Sequence, residues 1–322
     1  MKIISIENTT LCAADCKMCV RKMYKGPLAH MKQELFEKAI RQAAQCGVEM
    51  VTLTGLGEPL MDPEIERKLT YIKGQHPSMK VALTTTGHRM QGHLLDVVCA
   101  YLDEINFSMY GIDKETYEYV HGGSMVFEEN KKNIDDLLKR TKRPYAIISY
   151  IDMPATHGSI DEWKKYYEGK ADQVNIWKTH RWPHSGNKDM SFKRCAPCRC
   201  LRLDTLNGFY IKVNGEVSPC CFDYNTELSI GNINESTLQE IIDGAILGRL
   251  KAMQDEDSLR NSDMICGDCD QLYSREDALV YSSNKNMCTG RHSLFWEEDA
   301  LRKLFCLGCW EDYGGNESLG YG

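Results

Sequence analysis

Short apolar runs alternate with longer amphipathic stretches through the first half of the chain. This pattern is typical of strand and helix units repeated around a parallel sheet. The apolar runs predict strands at 2–7, 49–54, 80–85, 104–110, 145–152 and 173–178. The amphipathic stretches predict helices at 32–45, 63–74, 88–101, 127–140 and 160–168.

The predicted fold class is α/β, with about six βα units. Six units are too few for a closed eight-stranded barrel but suit an open, partial (β/α)6 TIM-like barrel. In such a fold the functional residues lie where the carboxyl ends of the strands run into loops. We therefore look for chemistry in the loops that follow the predicted strands.

The second half of the chain has a different pattern of predicted elements. A polar connection at 184–193 leads to a predicted hairpin, 209–213 and 216–218, turned by Asn214-Gly215, and then to a helix at 236–252. This pattern predicts a smaller C-terminal α+β domain. We expect a barrel domain at 1–185, a second domain at 186–286 and an extension at 287–322.

Charge and hydropathy narrow the class of protein. With 39 Lys and Arg against 46 Asp and Glu, the net charge of −7 argues against broad affinity for nucleic acid or an anionic membrane. No run reaches the ~18 apolar residues of a membrane span, and the first residues lack the apolar core of a signal peptide. We expect a cytoplasmic protein. An RNA-binding face remains an alternative, made by the basic residues Lys131, Lys132, Lys139, Arg140, Lys142 and Arg143, although such a run is typical of the solvated side of a helix.

Cysteine is the outlier of the composition, with 15 residues. An odd count in a long chain without a secretory signal favours metal or redox chemistry over disulfides. Thirteen of them are clustered, at 12, 16 and 19, at 195, 198, 200, 220 and 221, and at 266, 269, 288, 306 and 309. Cys46 and Cys99 stand alone near predicted helix ends, where we expect small buried hydrophobic side chains.

The first cluster has the spacing C-x3-C-x2-C directly after the first predicted strand. Three thiolates can hold three irons of a [4Fe–4S] cube and leave the fourth iron open to a ligand. A structural zinc ion would need a fourth ligand, and no histidine precedes His30. Zinc and plain structural cysteines stay open as alternatives.

The run Cys12-Ala-Ala-Asp-Cys16-Lys-Met-Cys19 resembles the signature of the radical SAM superfamily. The resemblance implies that the open iron binds S-adenosylmethionine (SAM). An electron donor such as flavodoxin or ferredoxin would then allow SAM to be cleaved to methionine and a 5′-deoxyadenosyl radical, which abstracts a hydrogen atom from the substrate. Met18 departs from the pattern, because the family usually has an aromatic residue at this position.

Other loops extend the resemblance. Thr54-Gly55-Leu56-Gly57-Glu58-Pro59 ends the second predicted strand and resembles the Gly-Glu motif of the family, whose backbone meets the amino group of SAM. Gly55, Gly57 and Glu58 are therefore candidate SAM contacts. Thr85 and Ser108 follow the third and fourth strands, where the family places polar groups around SAM, although a plain loop explains them equally well.

The later cysteines resemble the SPASM domain or its shortened form, Twitch. The segment containing Cys200, Asn214-Gly215, Cys220 and the pair Cys266-x2-Cys269 matches this pattern. A full SPASM domain has a further cysteine where this chain has Arg275, so the match implies one auxiliary [4Fe–4S] cluster and two clusters in all. Cys198 and Cys195 compete with Cys200 as the first ligand, and zinc remains an alternative at this site.

The same segment also resembles aminocyclitol dehydrogenases of the kind found in butirosin biosynthesis. This likeness implies oxidation of a sugar or aminocyclitol, with Asp223 and Arg181 as candidate substrate contacts. Epimerisation is a related outcome, in which Cys221 would return a hydrogen atom. A maturase of a ribosomally made peptide and a non-catalytic iron–sulfur protein remain alternatives.

Two further groups of residues keep open interpretations. Trp177, His180, Trp182 and His184 could form a wall of the substrate pocket or pack between the domains. Cys288, Cys306 and Cys309 could hold a further cluster or metal, supply a hydrogen-donating thiol, or be plain reduced thiols.

Overall fold

The computed structural model of the chain describes residues 2–179, 182–184, 194–206, 208–275 and 279–284. Its first half contains six parallel strands that pair in sequential order. These strands are β1 (Ile3–Ile6), β2 (Met50–Leu53), β3 (Lys80–Thr85), β4 (Glu104–Ser108), β5 (Tyr145–Asp152) and β6 (Gln173–Lys178). The helices between them are α1 (Gln33–Gln45), α2 (Ile65–Gln75), α3 (His93–Tyr101), α4 (Lys114–His121), α5 (Phe127–Leu138) and α6 (Ile160–Tyr167).

The predicted α/β fold class is confirmed, as are all six strands and the five predicted helices. Helix α4 was missed because its eight residues are mostly polar or aromatic and lie close to the longer α5. Its signals were present in the sequence. The Asp113 side chain accepts the Thr116 N–H at 2.8 Å as an N-cap, and Gly122 ends the helix with a positive φ.

Side-chain alternation along the strands sets the two faces of the sheet. Ile4 and Ile6 of β1 are fully buried in the hydrophobic core, whereas Ser5 between them is only partly buried. Because successive side chains point to opposite faces of a strand, one face packs against the helices and the other faces the inside of the partial barrel.

The predicted hairpin continues the same sheet. Strands β8 (Phe209–Ile211) and β9 (Glu216–Ser218) are antiparallel, and β8 pairs in parallel with β1 from Ile4↔Phe209 to Ile6↔Ile211. The barrel and the second half therefore share one sheet. The segment after β9 also contacts the chain that follows the first cysteines, where the Lys25 N–H donates to Asn225 Oδ1 at 3.0 Å.

Smaller elements complete the second half. They are β7 (Arg194–Pro197), α7 (Leu201–Thr205), β10 (Gly231–Asn232), α8 (Leu238–Ile242), α9 (Ala245–Asp255), β11 (Tyr273–Arg275) and β12 (Leu279–Ser282). The single helix predicted at 236–252 is corrected to α8 and α9, because Gly244 has an extended conformation (φ −73°, ψ 157°) and begins α9 as its N-cap. The predicted boundary at 185 and the extension at 287–322 lie outside the described residues and stay predictions. None of the described helices has the length and apolar character needed to cross a membrane.

Candidate functional site

The three N-terminal cysteines meet at one cavity. Cys12, Cys16 and Cys19 line a space of about 230 Å³ at the carboxyl ends of the first strands. The other candidate SAM contacts line the same cavity, together with Met18, Tyr110, His121 and Trp182; these candidates are Gly55, Gly57, Glu58, Thr85 and Ser108. The tertiary structure thus brings together residues from the ends of strands β1 to β6, which lie far apart along the chain.

The end of α4 holds the cysteine loop in place. The Asp15 N–H donates to the His121 carbonyl at 2.7 Å, and the Lys17 N–H donates to the Val120 carbonyl at 2.9 Å. Gly123 has a φ of +62°, and a Cβ there would lie 2.3 Å from the Ala13 carbonyl oxygen. Glycine is therefore required for this close contact. Sequence reasoning missed this support, although the Gly122-Gly123 pair was a signal for it.

Glu58 supports the cavity through its side chain. Its buried carboxylate accepts hydrogen bonds from the Thr85 hydroxyl, from the Thr86 N–H and hydroxyl, and from the Leu60 N–H, at 2.5 to 3.2 Å. Burial raises the pKa of Glu58. The carboxylate thus joins the loops that follow β2 and β3. Because the Thr85 hydroxyl donates to Glu58, Thr85 helps to position the loop after β3. A contact between the Thr85 hydroxyl and SAM stays a prediction.

The two glycines of the β2 loop allow close packing. A Cβ on Gly57 would lie 2.3 Å from the Thr9 carbonyl oxygen, and a Cβ on Gly55 would lie 2.7 Å from Glu7 Cγ. The fully buried Glu7, which the sequence did not single out, accepts the Leu56 N–H at 3.0 Å through Oε1. These contacts seat the loop directly against the strand that leads to Cys12.

The chemistry of the thiols fits an iron–sulfur cluster at this cavity. Burial raises the pKa of Cys12 to about 11 and also raises the pKa values of Cys16 and Cys19. Buried thiols of this kind ionise when a metal supplies positive charge. A zinc ion would need its ligands gathered around one point, whereas in a cluster each thiolate binds a different iron.

A second cavity collects the later cysteines. Cys200, Cys220, Cys266 and Cys269 all line it, among apolar neighbours such as Leu203, Leu250 and Ile265. The Cys200 N–H donates to Gln254 Oε1 at 2.8 Å, which fixes the start of α7 beside the cavity. The Cys198 thiol instead lies 3.5 Å from the Gln271 carbonyl oxygen. This geometry favours Cys200 over Cys198 as a ligand; the side chain of Cys195 lies outside the described part of the structure.

Cys221 follows directly on Cys220 and lies beside the buried Arg202, which lines the second cavity. The role of Cys221 as a hydrogen donor in epimerisation stays a prediction.

The Asp223 side chain forms hydrogen bonds within the loop that follows β9. Its carboxylate accepts hydrogen bonds from the Ser218 hydroxyl at 2.7 Å, from the Glu227 N–H at 2.7 Å and from the Leu228 N–H at 3.0 Å. This arrangement favours a structural role over the predicted substrate contact. Arg181, His180, Cys288, Cys306 and Cys309 lie outside the described residues, and their predicted roles are untested.

An aromatic contact joins the two cavities. Trp182 lines the first cavity, and its ring lies edge-on to Phe222, which lines the second, with 5.3 Å between the ring centroids. Trp182 therefore has both of the roles considered for it, since it forms part of a cavity wall and packs against the hairpin region. His184 lies at the surface, with Nδ1 3.0 Å from Glu227 Oε2.

The basic run of α5 and the following loop is largely neutralised by acidic partners. The contacts are Lys131–Asp135, Lys132–Asp136, Lys139–Asp136, Arg140–Asp96 and Arg143–Asp172. Charges paired in this way attract phosphate weakly. The structure supports the interpretation of this run as a solvated helix face.

A thiol-lined cavity at the strand ends of the partial barrel and a second one in the following half of the chain are typical of an iron–sulfur protein. Comparison with known families agrees: the radical SAM superfamily matches residues 6–165, and the iron-sulfur cluster-binding domain SPASM matches residues 198–270. The chain belongs to the radical SAM superfamily and carries a SPASM domain. These domains imply SAM and two [4Fe–4S] clusters as cofactors.

Individual relatives span several activities. The chain is 22% identical to the probable GTP 3′,8-cyclase of Thermoplasma volcanium, over 81% of this chain and 93% of that protein. It is 29% identical to the GTP 3′,8-cyclase of Actinobacillus pleuropneumoniae, over 59% of this chain but only 55% of that protein. The crystal structure of BtrN in complex with AdoMet and 2-DOIA has a similar fold, with a TM-score of 0.58, 14% identity and coverage of 92% of this chain and 98% of that one.

Proposed function

We propose that this radical SAM enzyme oxidises a hydroxyl-bearing carbon of a small molecule of the sugar or aminocyclitol type. The observation that carries the proposal is the convergence of Cys200, Cys220, Cys266 and Cys269 on one apolar cavity. A [4Fe–4S] cluster with four protein thiolates has no open iron for a substrate. Such a cluster can still accept an electron, and an oxidation requires an electron acceptor.

At the first cavity, Cys12, Cys16 and Cys19 bind three irons, and the loop with Gly55, Gly57 and Glu58 offers its backbone to SAM. When bound, SAM and this cluster supply hydrogen-atom abstraction from an unactivated carbon. Glu58 holds the loop of Thr85 and Thr86 against the cavity through its buried hydrogen bonds. Enclosure by these loops excludes water from the reacting carbon.

The oxidation balances if the substrate alcohol loses one hydrogen atom, one proton and one electron. With both cofactors bound, the hydrogen atom would go to the fragment derived from SAM, the electron would go to the cluster that Cys200, Cys220, Cys266 and Cys269 would hold, and the proton would be released to bulk solvent. The edge-on contact between Trp182 and Phe222 supports this division, because it connects the walls of the two cavities. Cavity walls that touch through two aromatic rings suit electron transfer between the two sites.

An external electron donor, such as flavodoxin or ferredoxin, is proposed to approach the cysteine loop. Lys17, Lys22 and Lys25 are exposed around this loop. A basic face attracts an acidic redox partner and makes the association sensitive to salt. Changing Lys17 and Lys25 to Glu should slow reduction by flavodoxin at low salt but leave reduction by dithionite unchanged; equal rates with flavodoxin would contradict this docking face.

The function is tested by three matched sets of cysteine variants in anaerobically reconstituted protein. Changing Cys12, Cys16 and Cys19 to Ala should remove about four irons and all formation of 5′-deoxyadenosine from SAM. Changing Cys266 and Cys269 to Ala should also remove about four irons but spare SAM cleavage and abolish product formation. Changing the isolated Cys46 and Cys99 to Ala should alter none of these, which makes that pair the control.

Two outcomes would contradict the proposal. SAM cleavage that survives in the first set of variants would exclude the assignment of the N-terminal cysteines. Zinc at the second site of the native protein would exclude electron transfer there, because zinc has no redox chemistry.

The substrate class is tested by transfer of deuterium from labelled candidates into 5′-deoxyadenosine. We expect transfer from an aminocyclitol or amino sugar deuterated at a carbinol carbon. GTP is the second candidate, because similarity to the cyclase of Thermoplasma volcanium extends over 81% of this chain. Transfer from ribose-deuterated GTP, and none from the carbinol substrates, would replace oxidation with nucleotide cyclisation.

A further inference from the structure

A buried histidine contacts one cysteine of the first cavity. His121, the last residue of α4, is fully buried, and its Nδ1 lies 3.5 Å from Cys16 Sγ. Its other ring nitrogen, Nε2, accepts the backbone N–H of Tyr110 at 3.3 Å. Both nitrogens of the imidazole therefore have a partner.

The Tyr110 contact determines which nitrogen carries the proton. A backbone N–H is only a donor, so Nε2 must present its lone pair to it. A neutral imidazole then has its proton on Nδ1, directed at the Cys16 sulfur. Since Nε2 accepts this hydrogen bond it carries no proton, and the ring in this arrangement is neutral.

The position of the ring is fixed from several sides. Tyr110 stacks on it with 5.0 Å between ring centroids and 8° between planes, and Tyr117 contacts it at 4.2 Å. The backbone of the cysteine loop is held by the same helix end, through the Asp15 N–H and the His121 carbonyl. Cys16 and the imidazole therefore form one rigid unit, and their separation is set by the fold.

We propose that His121 is a positioning residue for the first cluster, donating its Nδ1–H to the Cys16 thiolate and thereby raising the reduction potential of the cluster. The proposal rests on the proposed function, since it takes Cys16 as an iron ligand. Reduction adds negative charge to the cluster and its sulfurs, and a hydrogen-bond donor stabilises that charge. His121 thus makes the cluster easier to reduce by the electron donor.

The test compares two substitutions in the holoprotein. His121→Phe keeps an aromatic ring but has no donor, whereas His121→Asn keeps an N–H donor near the position of Nδ1. The midpoint potential of the first cluster is measured by a redox titration followed by electron paramagnetic resonance, with the cluster identified by the change of its signal on addition of SAM. We expect His121→Phe to reduce the equilibrium constant for reduction roughly tenfold, about 59 mV for a one-electron couple. His121→Asn should remain much closer to the wild type.

A second measurement uses the cluster-free protein and involves no activity. Nitrogen-15 NMR of the imidazole should show a neutral ring protonated at Nδ1 between pH 5 and pH 8. Protonation at Nε2, an unchanged potential in His121→Phe with full iron content, or equal potentials in the two variants would each overturn the proposal. Failure of the proposed function is recognised separately, because the variant with Cys12, Cys16 and Cys19 changed to Ala would then keep its full iron content.

Discussion

Two lysines of α2 form a natural pair for testing how burial sets the strength of an ion pair. Lys68 Nζ donates to Asp62 Oδ2 at 2.5 Å and to the Met31 carbonyl at 2.6 Å, with both charged side chains fully buried. Lys73 Nζ donates to Asp103 Oδ2 at 2.6 Å and to the Met79 carbonyl at 3.0 Å, but these side chains are 21% and 40% exposed. Each ammonium group thus donates to one aspartate and one backbone carbonyl, whereas the exposure of the two pairs differs strongly.

Replacement of each lysine by methionine should therefore have unequal effects. Lys68→Met leaves the Asp62 carboxylate buried without a counterion, which should lower the free energy of unfolding by about 3–5 kcal/mol. Lys73→Met leaves Asp103 in contact with water and should cost about 0.2–1 kcal/mol. The Asn8 amide still donates to Asp62 at 3.0 Å, but a neutral donor does not replace the lost positive charge.

The assay is urea unfolding under anaerobic conditions, followed by far-ultraviolet circular dichroism. Adding Asp62→Asn to Lys68→Met removes the unpaired charge, so the double variant should be more stable than Lys68→Met alone. The reasoning is refuted if Lys68→Met costs no more than Lys73→Met. It is also refuted if the double variant is less stable than Lys68→Met.

Three further predictions concern single side chains. Gly57→Ala places a Cβ 2.3 Å from the Thr9 carbonyl oxygen, so SAM binding measured by equilibrium dialysis should be lost. The control is Gly74→Ala, whose Cβ meets no atom within 4 Å and which should bind SAM as the wild type does. Equal SAM binding by the two variants would exclude the close approach at Gly57. Thr237→Ala removes the capping box of α8 and should lower the free energy of unfolding by about 1 kcal/mol, and a loss near zero would contradict a contribution from the cap. A hydrogen bond with Glu66 raises the pKa of the exposed His93, so the stability from this pair is full below pH 6.5 and is lost as the pH rises through the raised value. The NMR titration midpoint of His93 should therefore fall in Glu66→Gln, and an unchanged midpoint would refute the contact.

Much of the fold could be predicted from local patterns. The six strands and five of the connecting helices follow from apolar runs and amphipathic periodicity, which are properties of neighbouring residues. Helix α4 and the division at Gly244 were missed, because a short polar helix and a single glycine give weak periodic signals. The shared sheet could not be read from the sequence, since the parallel pairing of β8 with β1 joins residues about two hundred positions apart.

The candidate site was likewise predictable in its local features but not in its long-range contacts. The spacing of Cys12, Cys16 and Cys19 and the Gly57-Glu58 pair indicated the chemistry, because a cluster ligand set and a backbone contact depend on residue type and local spacing. The roles of individual side chains depended on distant partners. Asp223 turned out to hydrogen-bond within its own loop, and Cys221 lies beside a buried Arg202.

The sequence by itself determined the barrel elements and the cofactor class, which are encoded in short stretches of chain, and it predicted the cysteine ligands. Only the tertiary structure decided what surrounds these ligands. His121 lies 105 residues from Cys16 in the sequence, yet its ring nitrogen is 3.5 Å from the thiol sulfur. Hydrogen bonds act over a few ångströms in space whatever the separation along the chain, so contacts of this kind exist only once the helices have packed on the sheet.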